Sequence, residues 1–211
     1  MPKDIFFVRH GETDYNRLRK LQGRGIDAPL NSLGKEQALA LADYFKDHPL
    51  DAIYSSTMRR AISTAEIIAK HHKKPISAFE DLEEMDYGRY EGVDYNEVAD
   101  ELNTVKNRWI NGETDFTITG GESPEMVLQR AKQRITLLLE NRENQHQKIL
   151  FVVHGRLIRI LLSYWLKGSL RHMHTIGTHN CSINHLEWHN QTMKPMKLNE
   201  ISHLTHLQQE G

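Results

Sequence analysis

The chain has 211 residues, 38% hydrophobic and 26% charged, enough to bury one sizeable core. Its formal net charge of -1, with histidine neutral, gives no whole-chain reason to expect nucleic acid, an anionic membrane or a strongly acidic partner. Cys181 is the only cysteine, which excludes an intramolecular disulfide and suits a reducing compartment.

Residues 1–4 run into the first apolar segment without a leader of signal-peptide type. No apolar run approaches the ~20 residues needed to span a bilayer, so the expectation is a soluble, cytoplasmic protein. Ile5, Phe6, Phe7 and Val8 form a short apolar run that stops at Arg9-His10-Gly11-Glu12-Thr13. Such a run reads as a strand buried on both faces, ending at a loop. In open α/β sheets, ligands bind just beyond the carboxyl ends of such strands.

A polar loop is expected over 15–30. Asn31 then caps a helix running to Lys46, with Ala38, Leu41, Ala42 and Phe45 on one face. A second strand is expected at Ala52-Ile53-Tyr54, closed by Ser55-Ser56-Thr57, and a helix follows with Arg59 and Arg60 in its first turn. Cations there oppose the helix dipole, which leaves two readings of Arg60: a ligand-binding group, or a solvated arginine snorkelling outward. Residues 73–79 return toward the sheet as a third strand, and an acidic loop follows over 80–92. The segment 95–116 reads as helical in pieces. Ser123 caps a long helix with Pro124 at its first position. Residues 149–153 form another doubly buried strand that ends in His154-Gly155-Arg156, followed by a helix over 157–166 and a last strand over 181–188. There are no repeats or linkers. The reading is a single domain over 1–211, with helices on both faces of a mostly parallel sheet.

Two buried strands thus end in a histidine followed by glycine, His10 and His154, and parallel neighbours would bring both to one rim. Arg9 and Arg60 could join them, and two guanidinium forks suit the oxygens of a phosphoryl group. A neutral imidazole can attack phosphorus, and a carboxylic acid from the acidic loop could protonate the leaving alkoxide and later activate water. No metal or cofactor is needed for that scheme, because the arginines supply the charge.

At these residues the chain resembles the histidine phosphatase (phosphoglycerate mutase-like) superfamily. Arg9-His10-Gly11-Glu12-Thr13 with Asn16 resembles its signature. Gly23, Asp27-Ala28-Pro29-Leu30, Gly34 and Gln37-Ala38 continue the likeness, as do Ser55 through Ala61 with Thr64-Ala65. Further along come Leu82 through Gly88 with Glu91-Gly92, then Gly121-Glu122-Ser123, Val153-His154-Gly155 and Ser202-His203-Leu204. Thr57-Met58 stands where Pro-Leu is commoner, away from the expected chemistry. The resemblance implies a three-layer αβα sandwich of phosphoglycerate mutase-like type. It implies His10 as nucleophile, phosphorylated in turnover, with Arg9, Arg60 and His154 binding the phosphoryl oxygens. It also aligns Glu84, rather than the rivals Glu83 and Asp86, with the proton donor. Asn16, Gln22 and Gly23 would add substrate contacts, although Gln22 reads equally as a plain surface residue.

The expected function is a phosphomonoester phosphatase acting on a small polar metabolite. The alternatives are a cofactor-dependent phosphoglycerate mutase, which the compact chain around the acid loop disfavours, and a non-catalytic phosphate-binding scaffold on the same fold. His172, His174 and His179 match no standard zinc spacing and read as surface or rim histidines. Trp109 and Trp165 read as packing residues.

Overall fold

The computed structural model describes residues 2–208 apart from 142 and 144. Strand β1 spans Lys3–Arg9, followed by a one-turn helix α1 (Asp14–Arg17) and by α2 (Ser32–Phe45). Strand β2 (Ala52–Ser56) leads into α3 (Arg59–Ala69) and β3 (Ile76–Phe79). Helices α4 (Ala99–Ile110) and α5 (Pro124–Glu140) precede β4 (Lys148–Val153) and α6 (Gly155–Lys167). Strands β5 (Ile183–His189) and β6 (Thr192–Glu200) complete one six-stranded sheet in the order β3-β2-β4-β1-β5-β6.

The local signals explain the helix starts. The Asn31 side chain accepts from the Gly34 N–H, and the Ser123 side chain accepts from the Met126 N–H. The strands separate two cores by simple alternation. Phe7, Tyr54 and Phe151 face α5 and α6 on one side, while Phe6, Val8, Ile53 and Leu150 face α2 and α3 on the other. Phe7 and Phe151 stack with ring centroids 5.0 Å apart. This is the three-layer αβα arrangement, and the pairs β1/β4, β4/β2 and β2/β3 are parallel, whereas β5 and β6 run antiparallel.

Three expectations need correction. The 15–30 loop opens with α1, because Thr13 and Asn16 form a reciprocal capping box. The strand expected from Cys181 begins at Ile183, since Cys181 sits in a turn with φ +54°. Strand β6 was not anticipated: it is an edge strand whose residues are mostly exposed, so no buried alternation marks it.

The topology prepares a crevice. From adjacent β1 and β4 the chain leaves to opposite faces, through α2 on one side and α6 on the other. A crevice at such a switch point lies beyond the strands' carboxyl ends. Arg9 pairs in register with Val153, so the next residues, His10 and His154, stand side by side.

Candidate active site

The loop after β1 crosses the start of α2 at backbone contact. A Cβ on Gly11 would run into the Gly34 carbonyl, and one on Gly34 into the Glu12 carbonyl. Only glycine allows that approach. It seats His10 beneath the surface, with 3% of its area exposed, and His154 is wholly buried. Their ring centroids are 5.2 Å apart.

Hydrogen bonds assign the nitrogen roles of both rings. His10 Nδ1 lies 2.7 Å from the Gly11 carbonyl oxygen, which only accepts, so Nδ1 carries the proton and Nε2 the lone pair. His154 Nδ1 accepts from Arg60 Nε at 3.2 Å, so neutral His154 carries its proton on Nε2, a buried donor without a partner. Burial first, and then the charge of Arg60, hold both histidines well below the usual imidazole range; Arg9 adds to this at both, and His10 adds to it at His154. Both rings are neutral at neutral pH.

Arg60 is the largest fully buried side chain, which rules out the outward, solvated reading. Beyond His154 it donates to the carbonyls of Ile26 at 2.7 Å and Gly23 at 3.1 Å. Burial draws its pKa down to about 10, still charged at neutral pH. Arg9 donates from Nη1 to the Thr178 carbonyl at 3.0 Å, leaving Nε buried and unpartnered. Its guanidinium lies against Gly155, where a Cβ would come 3.2 Å from Nε. Gln22 is buried. Its amide oxygen accepts from Thr13 Oγ1 at 2.8 Å, and its Nε2 is a third buried donor with no partner. Asn16 accepts through Oδ1 from the Thr13 N–H and from Asn180. Gly23 contributes its carbonyl to Arg60.

Arg9, His10, Asn16, Gln22 and Glu84 line one cleft of about 180 Å³, together with Lys20, Tyr87, Arg156, Arg159 and Thr178. Arg60 and His154 stand behind this wall. Buried donors left unpaired are costly in a folded protein unless a ligand satisfies them. Arg9 Nε and Gln22 Nε2, on two residues that line the cleft with His10, and His154 Nε2, on the ring 5.2 Å from that of His10, are such donors and suit a multi-oxygen anion.

The structure separates the three carboxylates of the acidic loop. Glu84 reaches the cleft, where its carboxylate accepts from the backbone N–H groups of Met85 (2.9 Å), Arg156 (3.0 Å) and Leu157 (3.1 Å). It thereby caps α6, whose own N-cap residue His154 makes no side-chain cap. Glu83 is taken up by Thr57 Oγ1 and by Arg24, 2.7 Å away. Asp86 accepts from the Gly88 N–H, within its own turn, at 2.7 Å.

Arg130 on α5 holds this loop from behind. It donates to the carbonyls of Asp81, Glu83 and Glu84 at 2.8–2.9 Å and forms a two-bond pair with Glu122, each bond 2.8 Å. Glu122 in turn accepts from the Asp86 N–H. This clamp, together with Thr178, Tyr87, Arg156 and Arg159, was missed in the sequence. A signal existed for Arg156 and Arg159 alone, as cations on one helix face directly after the His154-Gly155 pair.

His174 accepts from Arg156 through Nδ1 and His179 lies against Asn199. Among the described residues no group of three or more His, Cys, Asp or Glu side chains is placed to hold a metal ion. Trp109 is buried and donates to the Phe116 carbonyl, and Trp165 packs on Phe7. None of the described helices is long and apolar enough to cross a membrane.

Residues 5–201 match the family model described as the histidine phosphatase superfamily (branch 1). The chain is 31% identical over 203 residues to a Bacillus subtilis (strain 168) protein named "Uncharacterized phosphatase PhoE", covering 95% of this chain and 96% of that one. It is 32% identical over 213 residues to "Probable phosphoglycerate mutase GpmB" of Proteus mirabilis (strain HI4320), covering 95% and 94%. Among solved structures, a mycobacterial glucosyl-3-phosphoglycerate phosphatase in complex with VO3 superposes with a TM-score of 0.83 at 27% identity, covering 94% of this chain and all of that one.

Proposed function

The chain belongs to the histidine phosphatase superfamily (branch 1), and from that premise we propose that it hydrolyses a small polar phosphomonoester through a phosphohistidine at His10, without a metal ion. One observation carries the reading: buried His10, with its lone pair on Nε2, lines one cleft with Arg9 and Gln22, each of which holds a buried, unpartnered donor, and its ring lies 5.2 Å from that of His154, which holds a third.

The chemistry follows from those atoms. His10 Nε2 attacks phosphorus in line with the ester oxygen; the N–P bond forms as the P–O bond breaks. Glu84, in its acid form, gives its proton to the departing alkoxide. The phosphorylated imidazole is cationic while Nδ1–H persists, and the Gly11 carbonyl 2.7 Å away stabilises that charge. Arg9, Arg60 through its hold on His154, and Gln22 meet the three non-bridging oxygens without needing to reorganise. Glu84, now a carboxylate, then takes a proton from water. The water oxygen attacks phosphorus, the N–P bond breaks, and His10 and the glutamic acid are restored with phosphate as product.

Three features of the relatives support a phosphoester substrate: one is named a phosphatase, one a phosphoglycerate mutase, and the solved relative a glucosyl-3-phosphoglycerate phosphatase. The test is p-nitrophenyl phosphate hydrolysis in excess EDTA, with acid-quench and alkaline-quench trapping of protein-bound phosphate. Turnover in the wild type, with alkali-stable and acid-labile phosphate that disappears in His10→Ala, supports the reading. Turnover surviving in His10→Ala, or lost to EDTA, sinks it. Interconversion of 2- and 3-phosphoglycerate outrunning hydrolysis would assign the mutase reaction instead.

A further inference from the structure

Resting on that reading of the same cleft, we propose that the alcohol portion of the substrate carries a second anionic group, carboxylate or phosphate, which Arg156 and Arg159 of α6 receive. A phosphomonoester carries roughly two negative charges at neutral pH, and Arg9 and Arg60 already answer them. The cleft nevertheless holds two further guanidiniums and Lys20.

Charge pairing elsewhere makes this excess informative. Arg17, Arg24, Arg89, Arg108, Arg130 and Arg134 each meet a carboxylate, whereas Arg19, Arg59 and Arg171, which form no ion pair among the described residues, are exposed to water. Arg156 and Arg159 form no ion pair among the described residues, although both are half-buried and lie one helical turn apart on the same face. Burial, and then the charge of Arg156, draw the Arg159 pKa down, a repulsion that a bound counter-ion relieves. The one carboxylate in the cleft, Glu84, touches the backbone N–H of Arg156 and not its guanidinium.

The forks are also held in place before any ligand binds. Arg156 Nε donates to Tyr87 Oη at 3.2 Å, and Nη1 donates to His174 Nδ1 at 3.3 Å. Its guanidinium lies 6.0 Å from the Trp109 ring. Arg159 Nε donates to Thr178 Oγ1 at 3.1 Å. A fixed, planar fork suits a carboxylate or a phosphate and loses little freedom on binding. Arg9, Arg156 and Arg159 line the same cleft of about 180 Å³, so an anion held by Arg156 and Arg159 belongs to the same small molecule as the phosphoryl group at His10.

The test compares esters of one size within each protein: glycerol 1-phosphate with no second anion, 3-phosphoglycerate with a carboxylate, and 1,3-propanediol bisphosphate with a phosphate. Ratios of kcat/KM cancel any loss of folded protein. In the wild type one or both charged esters should exceed glycerol 1-phosphate by roughly tenfold or more, and the winner identifies the anion. The ratio should collapse toward one in Arg156→Gln and recover in part in Arg156→Lys. Calorimetric binding of the three esters to His10→Ala repeats the comparison without turnover. It therefore separates failure of the second-anion site from failure of the hydrolase reading, which p-nitrophenyl phosphate reports. Equal values for all three esters in both assays, or a preference that persists in Arg156→Gln, overturns the proposal.

Discussion

Arg60 and His154, brought from two different strand ends, share a hydrogen bond of 3.2 Å that makes the arginine the donor and leaves the imidazole proton on Nε2. One buried guanidinium thereby sets the state of the neighbouring ring as well as tying together the carbonyls of Gly23 and Ile26. Lysine carries the charge but cannot span those acceptors. Arg60→Lys should lower kcat/KM about 10²–10³-fold, the usual loss for one preorganised donor at a developing charge. Nitrogen NMR of the wild type should show protons on Nδ1 of His10 and Nε2 of His154. The reverse assignment at either ring, or Arg60→Lys at near-normal activity, contradicts the account.

Glu84 is the carboxylate of its loop that lines the cleft, so Glu84→Gln removes the proposed proton donor while keeping an acceptor for α6. Alkyl phosphates, whose alkoxides leave poorly, should slow about 10²–10⁴-fold. Aryl phosphates such as p-nitrophenyl phosphate should lose far less in the first half-reaction, read as the burst of nitrophenolate. Equal losses for both ester classes would return the role to Glu83 or Asp86.

Arg130 does not line the cleft, yet it binds three carbonyls of the acidic loop, that of Glu84 among them. Arg130→Met leaves Glu122, of which 8% is exposed, with only the Asp86 N–H and Arg24 at 4.0 Å, and should cost up to about 3 kcal/mol of stability, the low end of the scale for breaking a buried pair. A positioning role adds a second signature: the ratio of alkyl to aryl turnover should fall in Arg130→Met, as it does in Glu84→Gln. A variant that melts early but keeps the wild-type ratio would reduce Arg130 to a purely structural clamp.

Acid should destabilise the protein before its carboxylates titrate. Burial, followed by the charges of Arg156, Lys106 and Arg159, lowers His174 to about 3, and His10 and His154 are also held well below the usual value. In the unfolded chain these histidines gain protons near pH 6.5. Between that pH and their folded pKa values the unfolded state binds more protons, so stability falls as pH falls. The melting temperature should drop from about pH 7.5 to about pH 5, with a shallower drop in His174→Gln. An unchanged slope in that variant would show that His174 is not among the responsible groups.

Much of this architecture is local and so was readable in advance. Apolar runs ending in His-Gly mark β1 and β4, because a doubly buried strand admits polar residues only where it leaves the sheet. Asn31 and Ser123 mark helix starts, because orphan N–H groups need a nearby side-chain acceptor. Other features depend on atoms far apart in the chain. Strand β6 is held by pairing with β5 and leaves Lys194, Pro195, Met196 and Lys197 exposed, so its sequence carries no periodic mark.

The site divides in the same way. Composition and position in the chain determined which residue types would gather at the sheet's rim: His10, His154, Arg9 and an acidic loop. Only the tertiary structure decided that Arg60 turns inward, because burial of a guanidinium depends on the distant Gly23 and Ile26 carbonyls that receive it. The resemblance had already aligned Glu84 with the acid role; the tertiary structure shows what each of the three nearby acids touches. Arg24 and Thr57 occupy Glu83, a turn occupies Asp86, and the start of α6 draws Glu84 into the cleft. Hydrogen bonds of this kind act over about three ångströms, and which groups come that close is settled by packing rather than by order along the chain.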